Sequence, residues 1–556
     1  MEVTKKNRII QAFLLFLVLS GVLLRFSSLE SADIFMDEAK EFFVARGVDD
    51  YAVEADYRPL KETLRLNREL ILQPPLMPLI LHYWSGIKHS IPWMRSVSLI
   101  FGIFSLFFIY GSARMTGYNR LWSLAVTAFC SISFSWIFFS FYLRAVYSFT
   151  IFSSALTLFF ILRTMRNKKV GNKDSLVLGI VMALSCFSIY GFWILLPFLL
   201  FVSLSLIILY SFPGFRAKLK NIFLFCIPVV SVLAYIIFQQ TIHHWRLKTV
   251  VGRHIYGDGS PAGFSFGFLG ALADSVCWQL TGIMKNYHVI IMQHFCTIFF
   301  LIFISSCLYV LAVSLRKKRF THIFIFSTFI YSLVACSALS FLGFYPLEQQ
   351  VLRITIFFAP YLVLSFFLCI TFFVIYPQKL KTPGRRKIYY SVLIGLVAIL
   401  LLSNLYYTYY YRSFKYGFAD IRSLLSNVNR DLEKSPDKEQ TYFYINGVAV
   451  DPFRYHYLFS KILAEGVISP DRILFQDHSL SINGKIEELN TYLRDIKKSG
   501  GGDCWVIWAF VPGFNPADYN NYAKFKDAAG LNEVFVVEKE IESSKARGLK
   551  IHIVGH

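Results

Sequence analysis

The stretch 31-SADIFMDEAKEFFVAR-46 places Asp33, Asp37 and Glu41 at four-residue intervals, with Glu38 beside Asp37. On a helix the three spaced acids share one face, while Phe35, Met36, Phe42 and Phe43 fall on others, and the segment could lie flat on a membrane. Like charges one turn apart repel by about 0.2–0.5 kcal/mol per pair unless a cation, a metal or a protonation change relieves them. The arrangement therefore asks for a partner; the plain alternative is a solvated acidic face at a helix start, where carboxylates are favoured. A second candidate is 140-SFYLRAVYSF-149, in which Tyr147 follows Arg144 by one turn, and a third is Arg353 in 350-QVLRITIFFAP-360. An arginine in an apolar segment costs about 2.5–3.5 kcal/mol at a helix centre and normally points to a partner inside the protein; snorkelling to the interface is its alternative. Two arginines near acids suit a substrate that carries phosphate beside a reactive carbon.

The elements that must position these residues are set by composition. The chain has 556 residues, 55% hydrophobic and 18% aromatic with 57 Phe, and a mean hydropathy of +0.51. With only 16% charged residues, against about 25% in soluble domains, this is an integral membrane protein. Apolar runs of about 20 residues number eleven, near 9–29, 92–113, 119–139, 146–163, 174–190, 192–211, 221–241, 292–314, 321–343, 354–376 and 388–409. Basic residues mark every second connection: Lys5, Lys6 and Arg8; Arg114 and Arg120; 163-RTMRNKK-169 with Lys173; Arg216, Lys218 and Lys220; 316-RKKR-319; and Lys379, Lys381 and 385-RRK-387. By the positive-inside rule these sides are cytoplasmic, which puts Asp37, Arg144, Arg353 and the C-terminus on the outer face of a bacterial inner membrane or its equivalent. The same residues explain the net charge of +21 without nucleic-acid binding. The first run reads as an uncleaved signal-anchor, and the nine cysteines form neither a disulfide framework nor a CxxC metal pattern.

Two outer connections are long. Residues 30–91 include 71-ILQPPLMPLILHYWSGI-87, whose apolar part beyond Pro74-Pro75 is too short to span and reads as an interfacial or re-entrant helix. Residues 242–291 carry His243, His244, His254 and His288; irregular chain there must line a cavity or lie in water. With no carboxylate at ligand spacing, His243, His244 and His254 are poor metal candidates. Residues 1–411 thus form the polytopic domain. Beyond it, residues 412–556 hold 19 Lys and Arg against 19 Asp and Glu. Strand-like runs at 441–445, 473–476, 504–510, 533–540 and 549–555 alternate with helical patterns at 418–434, 452–463, 486–498 and 516–529. The expectation is a soluble, extracytoplasmic α/β domain with a largely parallel sheet, in which 499-SGGGDCW-505 is a helix stop and turn rather than a phosphate cradle.

In order and spacing these pieces resemble the GT-C superfamily of polytopic glycosyltransferases, and within it the dolichyl-phosphate-mannose protein mannosyltransferase and aminoarabinose transferase group. The resemblance rests on the acidic pair Asp37-Glu38, on 73-QPPLMPLILHYW-84, on 95-RSVSLIFGIFSLFFIYGSARMTG-117, on Arg144 with Tyr147, and on Arg353 with Pro360. It is strongest over residues 1–165. It implies a polyprenyl-phosphate sugar as donor, a hydroxyl on a protein, lipid or glycan as acceptor, membrane lipid as surroundings and inversion at the sugar carbon. Asp37 would be the general base, Glu38 would orient the acceptor or, with Asp37, bind a divalent cation such as Mg, Mn or Zn, and Arg144, Tyr147 and Arg353 would hold the donor phosphate. Asp33 and Glu41 would be solvated or supporting neighbours. Where many relatives carry His before Pro-Pro this chain has Gln73, so that His role does not transfer; Gln73 and His82 remain supporting candidates, with packing the commoner fate of a histidine placed like His82. A secondary transporter is the alternative from another class, although paired Gly/Pro-broken helices in two halves are not evident. A membrane-anchored sensor or assembly protein with a binding α/β domain is the third.

Overall fold

The computed structural model describes residues 2–30, 36–48, 56–71, 73–189, 191–211, 213–241, 267–281, 290–341, 355–375, 395, 398, 400–407, 421–434, 441–445, 449–459, 470–475, 482–499, 502–509, 535–543 and 546–553. Asp33, Arg353, His243, His244, His254, His288 and the helical pattern at 516–529 lie outside the described residues. The helices in chain order are α1 (Glu2–Ser28), α2 (Met36–Ala45), α3 (Leu60–Leu66), α4 (Leu76–Ile87), α5 (Ile91–Met115), α6 (Arg120–Ile132), α7 (Phe134–Phe141), α8 (Ala145–Asn167) and α9 (Asn172–Ser185). They continue with α10 (Phe192–Tyr210), α11 (Phe215–Thr241), α12 (Gly267–Thr281), α13 (Ile290–Arg316), α14 (Phe320–Phe341), α15 (Ala359–Ile375), α16 (Ile421–Leu432), α17 (Val450–Phe459) and α18 (Ile482–Lys498). The strands are β1 (Thr441–Ile445), β2 (Ile473–Phe475), β3 (Gly502–Ala509), β4 (Phe535–Ser543) and β5 (Ala546–Ile553). Contacts divide the chain into a first unit of Met1–Ser27, Asn67–Met77 and Arg95–Tyr409 and a second of Ser28–Leu66, Pro78–Met94 and Tyr410–His556. The second unit therefore gathers most of the first long connection together with the C-terminal segment, a grouping that composition along the chain does not reveal.

In the first unit, among the described residues, eight helices are long and apolar enough to cross a membrane, or nine if one bent pair counts as a span. Three of the eleven expected runs are not among these eight. The run at 174–190 yields α9 with 14 residues, about 21 Å at 1.5 Å per residue and short of a bilayer core of about 30 Å. The run at 388–409 is described only in part, as helix over 400–407. The run at 119–139 is the bent pair, α6 and α7, which meet at 58° across Ser133. The long connection at 242–291 also differs from the irregular chain expected of it, because its residues 267–281 form α12, in which Ala271–Ala273 and Ser275–Thr281 are buried. Helices in this unit are joined by hydroxyls: Thr157 of α8 meets Ser185 of α9 at 2.8 Å, and Ser153 meets Ser188 at 2.5 Å. Where water is absent, such pairs satisfy polar groups that apolar packing would leave bare.

The second unit is built on a five-stranded sheet in the order β2-β1-β3-β5-β4. β1 pairs parallel with β2 and β3, whereas β5 pairs antiparallel with β3 and β4, so the sheet is mixed rather than largely parallel. The last two strands, β4 and β5, are separated by only two residues, too few for the crossover a parallel pair needs. Alternation along each strand sends Phe443, Ile445, Trp505 and Ile507 into a core with Ile421, Leu424, Leu425 and Val428 of α16 and Val450 and Phe453 of α17. On the opposite face Tyr444 donates to Glu488 Oε2 at 2.8 Å and its ring lies 6.3 Å from that of Tyr492, both on α18. Ser499 closes α18 by donating its amide to the carbonyls of Asp495 and Ile496, so the helix stop expected there is present, while Gly502, at φ 140°, already opens β3 and 502–505 are strand.

Candidate functional site

Asp37 and Glu38 stand in the first turn of α2, where unpaired amides and the helix dipole favour negative charge. The helix does not lie on a surface. From Glu38 to Ala45 every side chain except Lys40 is buried, with Glu38 0% and Glu41 2% exposed and Asp37 partly open. Glu41 is therefore not a solvated neighbour: the phenylalanines that flank it carry its helix into the second unit's interior. Phe42 meets Tyr455 of α17 edge-on at 5.2 Å, and the guanidinium of Arg454, itself fully buried, lies 4.0 Å from the centre of the Phe43 ring. Burying a carboxylate is costly without paired or hydrogen-bonding groups, and Glu38 and Glu41 both have such interactions. Asp37 is the more open of the neighbouring pair.

The far end of α2 is fastened by His82. Its Nδ1 lies 3.0 Å from the carbonyl of Ala45 and 2.9 Å from Thr63 Oγ1, and the Thr63 hydroxyl donates to the same carbonyl at 3.1 Å. That carbonyl ends the helix and has no partner within it. Stacking on Tyr57, 4.6 Å away, completes the enclosure of the imidazole, which is 3% exposed. Burial holds its pKa below the usual histidine value, only partly offset by the bond to Ala45. His82 is thus a packed residue that supports the acid-bearing helix. Arg46, one residue past α2, lies over the Tyr57 ring at 5.5 Å and donates to the carbonyl of Ser85 at 3.3 Å; burial lowers its pKa, with Tyr57 and Asp56 opposing that shift.

Arg144, Tyr147 and Gln73 belong to the first unit. The chain leaves helical geometry at Tyr142 and resumes it at Ala145, with Arg144 as the residue before α8 at φ −66° and ψ 74°. Ser98 of α5 pins this link by donating to the carbonyl of Tyr142 at 2.6 Å, and Ser148 of α8 donates to the carbonyl of Ser98 at 2.6 Å. The guanidinium of Arg144 then lies 5.5 Å from the centre of the buried Tyr147 ring, so the Arg-x-x-Tyr spacing becomes a direct contact. Gln73 is buried just before Pro74-Pro75, and its carbonyl accepts from Asn67 Nδ2 at 2.8 Å; α4 starts directly after the proline pair.

Sequence reasoning passes over Arg25, which ties the end of α6 to Ser140 of α7. This arginine lies in the last turn of α1 and is fully buried. It donates to the carbonyls of Gly21, Cys130 and Ser131 and to Ser140 Oγ. Cys130 and Ser131 are in the last turn of α6, where the break at Ser133 removes the amides their carbonyls would otherwise meet. Asn404 serves the other side of the break, accepting from the Phe134 amide at 3.0 Å and donating to the carbonyl of Leu280 in α12 at 2.8 Å. Gly21 permits the close approach, since a Cβ there would collide with the Ser131 carbonyl. The available signal was a lone arginine near the end of an otherwise apolar run, four residues after a glycine.

Among the described residues no three His, Cys, Asp or Glu side chains converge as a metal would require. No protein-family model matches the chain, and no curated protein matches it. It is similar to two solved structures. One is ArnT from Cupriavidus metallidurans in the apo state, 10% identical with a TM-score of 0.45, the match covering 97% of this chain and 98% of that one. The other is the archaeal oligosaccharyltransferase AglB from Archaeoglobus fulgidus in complex with an inhibitory peptide and a dolichol-phosphate. It is 11% identical with a TM-score of 0.45, the match covering 89% of this chain and 69% of that one.

Proposed function

We propose that the protein is a membrane glycosyltransferase that moves a sugar from a polyprenyl-phosphate donor to an acceptor hydroxyl on the extracytoplasmic face. The observation that carries this reading is the placement of Arg144. A cation stands where the positive end of the 23-residue α8 begins, so guanidinium and helix terminus add their positive potentials instead of cancelling. An anion is the group that such a place favours, and a phosphate ester meets both the guanidinium fork and the helix terminus. Asp37 supplies the complementary half of the chemistry as the partly open carboxylate of an otherwise buried acidic turn.

In the reaction, Asp37 takes the proton from the acceptor hydroxyl as its oxygen bonds to the sugar's anomeric carbon. The bond from that carbon to the phosphate oxygen breaks, and the polyprenyl phosphate leaves with the electron pair. Negative charge on the phosphate grows along this path, so Arg144 stabilises the transition state more than the ground state. Glu38 orients the first turn of α2, and Tyr147 fixes the guanidinium. The decisive experiment is sugar transfer from a polyprenyl-phosphate donor in proteoliposomes. Asp37→Asn should preserve folding while lowering turnover by about 10²–10⁴-fold, the usual worth of a general base. Transfer by that variant at near wild-type rate would remove Asp37 from the mechanism, and absence of transfer by the wild-type protein with any such donor would remove the reading itself.

A further inference from the structure

A cavity of about 350 Å³ lies in the first unit, lined by Thr116, Gly117, Tyr118, Arg319, Thr321, His322 and Thr371. The residues come from the α5–α6 link, the start of α14 and α15 near its end. Arg319 supplies charged nitrogen donors, the His322 ring is hydrogen-bonded to the backbone of Thr116, and Thr116, Tyr118, Thr321 and Thr371 supply hydroxyls. No Asp or Glu is among these lining residues, so the chemistry suits an anion and not a cation. Lys317, Lys318, Arg316, Arg114 and Arg120 surround the cavity in sequence and strengthen its positive potential.

The walls are built. The Arg114 guanidinium donates to the carbonyl of Tyr118 at 2.8 Å, and the Thr371 hydroxyl lies 3.1 Å from the Tyr118 phenol oxygen. Gly117 has φ 96°, and a Cβ added there would meet nothing within 4 Å; the turn keeps the mouth open and needs a residue that tolerates this backbone. The site also lies at a defined level: Met115 ends one apolar span, Arg316 ends another and Phe320 begins a third. That is the boundary at which phosphate headgroups sit against basic pockets between helices.

We infer that this cavity is a binding site for a phosphate-bearing group on the lysine- and arginine-rich face of the protein, separate from the chemistry assigned to Asp37 and Arg144. The group is presented on a lipid headgroup or on a soluble phosphate, and both use the same donors.

The test uses the full chain in nanodiscs of phosphatidylcholine with and without phosphatidylglycerol, with retained lipid read by native mass spectrometry and inorganic phosphate added in a parallel titration. Wild-type protein should retain phosphatidylglycerol or bind phosphate, and Arg319→Gln should weaken that binding about tenfold, as loss of a charge-assisted hydrogen bond implies. Thr371→Val, which keeps all charges, should weaken it by a smaller factor, and Lys220→Gln, a change in another basic connection, should leave it unaltered. Retention of phosphatidylglycerol that inorganic phosphate does not displace assigns the site to a lipid headgroup. Displacement by inorganic phosphate assigns it to a soluble phosphate-bearing ligand. Equal binding by wild type, Arg319→Gln and Thr371→Val would overturn the proposal, as would an equal loss in Lys220→Gln. If Arg319→Gln does not fold, Thr371→Val and Tyr118→Phe decide the question by the same criteria.

Discussion

Asp37 and Arg144 both stand at the start of a helix, and the two starts treat their charges in opposite ways. In α2 the helix terminus favours the carboxylates of Asp37 and Glu38, and what must be supplied from elsewhere is enclosure: Phe42 and Phe43 are packed by Tyr455 and Arg454, and the last carbonyl is closed by His82 and Thr63. In α8 the terminus opposes Arg144. There the backbone break, Ser98 and Tyr147 hold a cation where electrostatics alone would not put it. The two helix starts thus differ in what holds the charge: the field of the helix itself in α2, and the contact with Tyr147 together with the Ser98 bond in α8.

Four substitutions break or sharpen this contrast. The largest effect belongs to Arg144→Ala, expected to lower sugar transfer by about 10²–10³-fold through loss of one transition-state cation, with thermal stability in detergent nearly unchanged. A collapse of stability with normal turnover in the surviving protein would make Arg144 a packing residue. Next is Arg25→Leu, which leaves the carbonyls at the end of α6 without their donor. It should destabilise the first unit by about 3 kcal/mol, since each buried carbonyl so abandoned costs about 1–3, and an unchanged Tm would show that the break at Ser133 does not depend on it.

His82→Gln probes the other helix start and should cost about 1 kcal/mol, the net worth of a typical hydrogen bond. It also carries a pH signature. The folded pKa of His82 lies below the ordinary value of about 6.5, so its contribution is complete above that value and is lost as pH falls towards the folded pKa. Urea titrations of the wild type should show stability declining below about pH 6.5, and the Gln variant should lose that part of the slope; an unaltered slope would assign the titration elsewhere. The smallest effect is expected of Tyr455→Phe, which keeps the ring against Phe42 but removes the oxygen that accepts from the Ile91 amide at 3.3 Å. About 0.5–1 kcal/mol is expected, and a larger loss would mean that the hydroxyl, and not the ring, anchors the contact.

Features readable from the chain follow from short-range rules. Long apolar runs require spans because hydrocarbon leaves no other way to satisfy a backbone, and alternation at 441–445 and 504–510 marks strands that are present as β1 and β3. Asp37-Glu38 at a helix start and Arg144 one turn from Tyr147 are likewise local spacings, and both persist in the structure. The tertiary structure alone decided what depends on partners far away in the chain. That the run at 119–139 bends at Ser133 depends on Arg25, 106 positions before Ser131, and on Asn404, 270 positions after Phe134. That Glu41 is buried depends on α17, and that the sheet is mixed depends on which edge β5 reaches first. Periodicity records which face of an element is apolar; it holds no record of which distant group will meet that face, because that choice is made by the packing of the whole chain.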